Sequence, residues 1–435
     1  MRFLPPLFVL LLCTCVRAQS SYTLYLTGSE TDVVTAPTGG VCMMGGRTEN
    51  DNAMRWFLAR AAGGDVVVLR ASGSDGYNDY FYEQLGVNIN SVRTLVFDSG
   101  ADAGAEEVIE AVANAEAIWF AGGDQAKYVE YWRGTPLDST LRVVINERNA
   151  VVGGTSAGMA ILGGYYFTAA NGTVSSEEAL ADPFNEFMTI ESERFLSVPG
   201  LEFVITDSHF SERDRQGRFA TFIAHASARA GRPVTGIACD EYTAVCLTPA
   251  GMASVYGTPG EEDYAYFINV GCPGESSSVP DVFAAGLPVG WGSEENGGLG
   301  LARVSGDENN PPVFCLPDFS FVDGGWEWQH WWIENGNLMA RETEPFTCLI
   351  NSVAGSNWTD QITIYPNPAP DQLSVSTDWP VTTARIIDVN GRVRHTIAPA
   401  DPLNFTFTTS TLSPGSYYLL LSAPGKRARQ RFIVP

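Results

Sequence analysis

The chain has 435 residues, with 26 Lys and Arg against 50 Asp and Glu, for a formal net charge of −24 at pH 7. Such an acidic chain repels nucleic acid and anionic lipid, so neither is an expected partner. The length is enough for two domains or more.

Arg2 is followed by an apolar stretch over 3–16, and Val16-Arg17-Ala18 places small residues as a cleavage site does. This predicts a secretory signal peptide over 1–18, since the apolar part is too short to cross a bilayer. No later segment is apolar enough to span, so the mature protein is expected to be exported, without stable membrane insertion. Cys13 and Cys15 leave with the signal, and Cys42, Cys239, Cys246, Cys272, Cys315 and Cys348 remain. An even count in an exported chain predicts disulfides, with the pairing open. With no C-x-x-C and four histidines in the whole chain, no zinc or other metal site is expected.

From 39 to 270, short β-rich runs alternate with helix-like segments. Strands are expected at 41–44, 66–70, 91–97, 117–120, 149–152, 203–207, 234–238 and 243–247. A helix is expected over 51–62, and another after His209, where Phe219, Phe222 and Ile223 recur at helical spacing. Ser211 and Asp214 read as its capping pair. The alternation predicts an α/β fold with a mostly parallel sheet flanked by helices, and sites at the carboxyl ends of its strands. The α/β catalytic body is expected over 19–270.

Residues 271–355 are rich in Gly, Pro and Trp, contain "WEWQHWWIENG" (326–336), and show little periodicity. They predict an irregular, disulfide-pinned appendage, whose tryptophans either pack onto the body or line a binding cleft. From 360 to 435 the alternation becomes two-residue, in "QLSVST", "ARIIDV", "YYLLLS" and "RQRFIV", with turns at Asn390-Gly391 and Pro414-Gly415. This predicts a small antiparallel β-sandwich without a catalytic cluster. Residues 361–435 carry seven basic and four acidic residues, whereas 19–360 carry 17 basic and 46 acidic, about −29. The acidic body is read either as a solubility device or as an attractor for cationic substrate.

Gly154-Thr155-Ser156-Ala157-Gly158 satisfies G-x-S-x-G between an apolar strand and a helix-compatible run. Small neighbours let a strained turn expose the Ser156 hydroxyl, and the Ala157 N–H would point at a developing oxyanion. The base must come from elsewhere. His395 lies in the sandwich and His225 inside an amphipathic helix, whereas His209 follows the strand "FVITD" directly. A third strand end, in "GIACDEYTAV", supplies Asp240 and Glu241 as orienting carboxylates. The order is therefore Ser, His, acid. An α/β-hydrolase-type esterase would need Ser, acid, His, and would move the base to His330. A second alternative is a non-catalytic binding protein on the same scaffold.

Taken together, "GGTSAG", "DSHFSERDRQGR" and "CDEYTA", with "VCMMGG" and "FAGGDQ", resemble the cyanophycinase and dipeptidase E family of serine peptidases. The resemblance spans about 39–270. It implies a fold like class I glutamine amidotransferases, a triad of Ser156, His209 and Glu241, and no cofactor. It further implies a second oxyanion donor at Gly123 and substrate contacts at Asp124, Gln125, Asp207, Arg213, Arg215 and Arg218, the arginines clamping carboxylates. The expected substrate is a peptide or a cyanophycin-like polymer of aspartate and arginine. Where the family usually reads Asp-Gln-His-Phe, this chain has Asp207-Ser208-His209-Phe210. "IYPNPAPDQLSV", "IIDVNGRV", "LSPGSYYLLL" and "QRFIV" resemble the C-terminal sorting domain of type IX secretion cargo. That implies the type IX machinery as a partner and a secreted or cell-surface protein, from which the domain is removed on release or anchoring.

Overall fold

The computed structural model describes residues 20–192, 195–258, 263–270, 279–295, 297–317, 319–323, 326–343, 362–388, 393–423 and 426–435. The signal-peptide stretch 1–18, Cys272 and Cys348 lie outside them.

In chain order the body begins with β1 (Tyr22–Gly28), β2 (Val41–Met44), α1 (Asp51–Ala59), β3 (Asp65–Arg70), β4 (Ser91–Phe97), α2 (Glu106–Ala113) and β5 (Ala117–Phe120). It continues with α3 (Gln125–Trp132), α4 (Pro136–Asn146), β6 (Val151–Thr155), α5 (Ala157–Ala160), β7 (Tyr166–Phe167), α6 (Ser176–Ala181) and β8 (Ile190–Glu191). Next come β9 (Val204–Asp207), α7 (Gln216–Ala230), β10 (Thr235–Cys239), β11 (Ala244–Leu247), β12 (Met252–Tyr256) and β13 (Tyr264–Asn269). Residues beyond 271 add β14 (Leu299–Ser305), β15 (Val313–Cys315), β16 (Ser320–Asp323), β17 (Trp326–Glu334) and β18 (Asn337–Thr343).

Two sheets carry the body. One has the order β1-β4-β3-β5-β6-β2-β11-β12-β15-β16, and the other β18-β17-β14-β13-β10-β9. The run β4-β3-β5-β6-β2 is parallel, because each connection there is long enough to carry the chain back over a face of the sheet. From β11 onward the first sheet is antiparallel, since hairpin-length links join β11 to β12 and β15 to β16. In the second sheet only β9 and β10 are parallel. The expected mostly parallel sheet is thus a mixed α/β arrangement, and His209 and Glu241 leave a different sheet from Ser156.

Local chemistry sets the helix ends. The Asn50 side chain accepts the Asn52 and Ala53 N–H groups to start α1, and Thr135 caps α4 with Pro136 at its first position. The expected capping pair at Ser211 and Asp214 is not formed: α7 begins at Gln216, with Arg215 at its N-cap and no side-chain cap. The Asp214 N–H bonds the Ser211 carbonyl instead, in a turn that carries His209 clear of the helix.

Residues 271–355 depart most from expectation. Their strands extend both sheets, β15 and β16 on one and β14, β17 and β18 on the other. Trp328, Trp331 and Trp332 are buried in the body, so these rings pack into the core and do not line an open cleft. Their signal was weak because the run 331–333 of β17 is buried without alternation and β18 is mostly exposed, so neither keeps the two-residue pattern of a half-buried strand throughout. Cys42, Cys239 and Cys246 are buried thiols and form no disulfide.

The C-terminal residues form β19 (Ile362–Tyr365), β20 (Gln372–Thr377), β21 (Thr383–Asp388), β22 (Val393–Ile397), β23 (Asn404–Thr408), β24 (Gly415–Ala423) and β25 (Lys426–Val434). They make two antiparallel sheets, β19-β20-β23 and β22-β21-β24-β25. Leu373, Val375 and Phe407 of one meet Ile386, Leu419 and Phe432 of the other in a shared core. Among the described residues, no helix is long and apolar enough to cross a membrane.

Candidate active site

Ser156 stands between β6 and α5 with φ 53 and ψ −114, a conformation uncommon for any residue but glycine and characteristic of strained functional turns. The turn closes because its neighbours lack bulk. A Cβ on Gly158 would lie 2.1 Å from the Phe120 carbonyl oxygen at the end of β5, so only glycine lets α5 approach that strand.

The Ser156 Oγ lies 2.7 Å from His209 Nε2. On the far side of the ring, Nδ1 lies 2.6 Å from Glu241 Oε1. A carboxylate accepts but does not donate, so the Nδ1 proton belongs in that bond, which leaves Nε2 to accept the serine O–H. Asp240 is committed elsewhere. Its Oδ1 accepts the Ser211 N–H at 2.8 Å, and its Oδ2 accepts the Tyr264 N–H at 3.2 Å and the Tyr266 hydroxyl at 3.0 Å. Glu241 is therefore the carboxylate that reaches the imidazole.

Three backbone bonds explain how residues from two sheets converge. The Met44 carbonyl accepts the Ser156 N–H at 3.0 Å, the Gly45 carbonyl accepts the His209 N–H at 2.9 Å, and the Gly46 carbonyl accepts the Tyr242 N–H at 3.1 Å. The end of β2 thus ties down the serine, the histidine and the residue after the glutamate. Gly46 also has φ +123, and a Cβ there would lie 2.3 Å from His209 Cε1. The ring occupies the space that any side chain would need.

Electrostatics follow from burial and from three arginines. Burial lowers the His209 pKa below its ordinary 6.5, and the charges of Arg213 and Arg215 push it the same way against the pull of Glu241. Burial works to raise the Glu241 pKa, but the hydrogen bonds from His209 and Arg47 outweigh it and hold the group lower than usual. Arg47 donates from Nε to Glu241 Oε2 at 2.6 Å.

The remaining expected site residues divide. Ala157 opens α5 directly after Ser156. The Gly122-Gly123 turn lies beside the serine, since a Cβ on Gly122 would stand 3.6 Å from that of Ser156. The buried Tyr128 holds this turn, donating its hydroxyl to the Ala121 carbonyl at 2.9 Å and the Gly122 carbonyl at 3.1 Å. Asp124 caps α3 through the Ala126 N–H, and Gln125 opens that helix, half-buried. Arg213 is exposed. Arg218 is not a free clamp: its Nε and a terminal nitrogen bond the two Asp207 oxygens at 2.9 and 2.7 Å, and both side chains are buried. Arg215 reaches the same carboxylate at 3.2 Å and donates to the Ser208 carbonyl at 2.6 Å. Asp207, Arg215 and Arg218 therefore form an internal ion cluster beneath His209. His225 bonds the Pro183 carbonyl and His330 sits within β17, so the esterase arrangement through His330 is not the one formed.

Arg47 and Tyr128 were missed from the sequence. Tyr128 looks like any core aromatic, and Arg47 meets its partner 194 positions away. The only cue to Arg47 was its place directly after "VCMMGG".

A serine on a strained strand-to-helix turn, hydrogen-bonded to an imidazole that a carboxylate holds from behind, is the constellation of serine-type hydrolases. Comparison with known proteins narrows the class: residues 74–250 match Peptidase family S51, and residues 363–435 match the Secretion system C-terminal sorting domain. A cyanophycinase of Synechococcus elongatus is 27% identical over 210 residues, which cover 46% of this chain and 59% of that protein. One of Geminocystis herdmanii is 28% identical over 141 residues, covering 31% of this chain and 48% of that protein. The chain thus spans about three fifths of the length of the first relative, or less of the second. Among solved structures, a peptidase from an acI-B1 Actinobacterium aligns with 53% of this chain and 94% of its own, at 17% identity and a TM-score of 0.34. The family matches support a serine-type peptidase, and the sorting domain marks the chain for export by type IX secretion to the cell surface or beyond.

Proposed function

We propose that the chain is an exported serine peptidase that hydrolyses amide bonds of an aspartate- and arginine-containing peptide or polymer through an acyl-enzyme. The observation that carries this reading is the continuous hydrogen-bond chain from the Ser156 Oγ through His209 to Glu241. In this reading His209 Nε2 takes the serine proton, Oγ attacks the amide carbonyl, and the protonated imidazole passes its proton to the leaving nitrogen. Glu241 keeps the ring oriented and stabilises its positive charge. The N–H groups of Ala157 and Gly123 receive the oxyanion, and water then releases the acyl group by the reverse proton path. Asp124, Gln125 and Arg213 border the site as substrate contacts. Asp207, Arg215 and Arg218 support it from beneath. The likeness to cyanophycinases motivates the substrate class, and Ser208, in place of the family glutamine, sets this chain apart from them.

The test is incubation of the mature protein with cyanophycin and with isoaspartyl dipeptides, reading products by mass, alongside fluorophosphonate labelling of Ser156. Glu241→Gln should reduce both activities more than Asp240→Asn does in protein that remains folded. The opposite order would reassign the acid, and a serine that never labels would remove the peptidase reading.

Two further outcomes are expected of the same site. The working base is neutral imidazole, so activity falls as the pH drops through the His209 pKa, which lies below 6.5. The acid midpoint of labelling should therefore lie below 6.5, and Arg213→Ala should move it upward by removing a nearby cation. A midpoint above 6.5, or a downward move, would contradict this. Gly46→Ala should push the His209 ring off Ser156 and lower kcat/KM by on the order of 10²-fold, the usual effect of displacing a catalytic group by about an ångström. Activity within about threefold of the parent would show that the ring has room to yield.

A further inference from the structure

The two nitrogen ends of Arg47 do different things. Its Nε is committed to Glu241 Oε2 at 2.6 Å, while its side chain is 64% exposed. No partner stands opposite its terminal nitrogens among the described residues. Glu212, the other carboxylate near it, has Oε1 engaged by the Glu241 N–H at 2.9 Å. The backbone holds the guanidinium there at a conformational penalty: Arg47 has φ 66, and Tyr242, bonded to the Gly46 carbonyl and 44% exposed, has φ 61. Two non-glycine residues in the left-handed region, on segments linked by a hydrogen bond, set the backbone from which Arg47 reaches Glu241.

We infer that Arg47 is a specificity-determining residue, which grips Glu241 through Nε and offers its terminal nitrogens to a substrate carboxylate that reaches the Glu241 side of the site, beyond His209 from the scissile amide. This rests on the peptidase reading above. A guanidinium presents its donors as a planar fork, so a second carboxylate can bind the outer edge while the first holds the inner nitrogen. On a body of about −29 over residues 19–360, an anionic substrate is repelled at long range, so selection for one requires a local cation of this kind. Substrate binding at that edge also draws on the guanidinium that holds Glu241, linking recognition to the orientation of His209.

The experiment uses two alkyl fluorophosphonates that differ only at the chain end, one a carboxylate and the other its primary amide. Each bonds through phosphorus to the Ser156 oxygen with loss of fluoride, and the labelling rate is read by intact mass. The parent protein should label faster with the carboxylate probe, by about tenfold or more, the order expected of a charge-assisted hydrogen-bond pair. Arg47→Met should bring the ratio near one, and Arg47→Lys should recover only part of it. Because Glu241 loses a partner in both variants, the two rates will also fall together, but that common loss cancels in the ratio. Equal labelling by the parent, or an unchanged ratio in Arg47→Met, overturns the role of Arg47 and leaves the peptidase reading standing. Failure of both probes to label the parent removes both.

Discussion

Ser156→Ala is expected to lower amide hydrolysis by about 10⁴-fold or more, the usual loss when one member of a catalytic triad is removed. The serine contributes only an oxygen whose partner is His209, and the small residues that build the turn remain. Alanine meets the positive φ with the same single Cβ that serine carries, so folding should change by no more than about 0.5 kcal/mol. The two readouts therefore separate: kcat/KM collapses while the denaturation midpoint stays. Residual hydrolysis above the uncatalysed rate is expected, because the oxyanion donors and the binding groups survive the substitution. Activity within about tenfold of the parent would remove Ser156 as the nucleophile.

The sequence revealed those parts of the site that come from local constraints. A strained turn needs small residues in a fixed pattern, and a residue at a strand end follows the apolar run directly, so Ser156, His209 and the pair Asp240 and Glu241 could be proposed from their neighbours, while the choice of Glu241 came from the family resemblance. Strands 41–44, 91–97 and 117–120 were legible for the same reason: buried parallel strands are short apolar runs between turns. Long-range pairing was not legible. β1, an edge strand with no fully buried residue, lacked the apolar face that would have marked it. The split of the body into two sheets depends on hairpin links and on partners far along the chain, which no window of sequence contains. The arginines after His209 illustrate the same limit. Arg215 and Arg218 could be read as carboxylate clamps, but no stretch of sequence says which carboxylate they meet, and that partner is Asp207 within the protein.

Arg218→Ala is accordingly expected to act first on stability. Asp207 and Arg218 have side chains 3% and 4% exposed, joined by two hydrogen bonds. Deleting the arginine leaves a buried carboxylate with only the single 3.2 Å contact of Arg215 and the Ser208 N–H. Breaking a buried pair from one side typically destabilises by about 3–5 kcal/mol, because the remaining charge has lost its compensation. A surface arginine would give no more than about 0.5 kcal/mol. The pH dependence has a definite sign. Burial works to raise the Asp207 pKa, but Arg218 and Arg215 outweigh it and hold it below its ordinary 3.8. The stabilisation from the pair is thus complete above the unfolded-state pKa of about 3.9 and is lost as the pH falls below it through the folded value. The double change Asp207→Asn with Arg218→Met removes both charges and should recover part of the loss, because replacing both partners is far less damaging than orphaning one. Since His209 lies two residues beyond Asp207, Arg218→Ala should also lower kcat, whereas a residue that only gripped substrate would raise KM and leave the denaturation midpoint alone. Urea midpoints at pH 7 for the parent, the single variant and the double variant decide between the two. A single variant within about 0.5 kcal/mol of the parent would mean that Asp207 tolerates its isolation, and would return Arg218 to the list of substrate contacts.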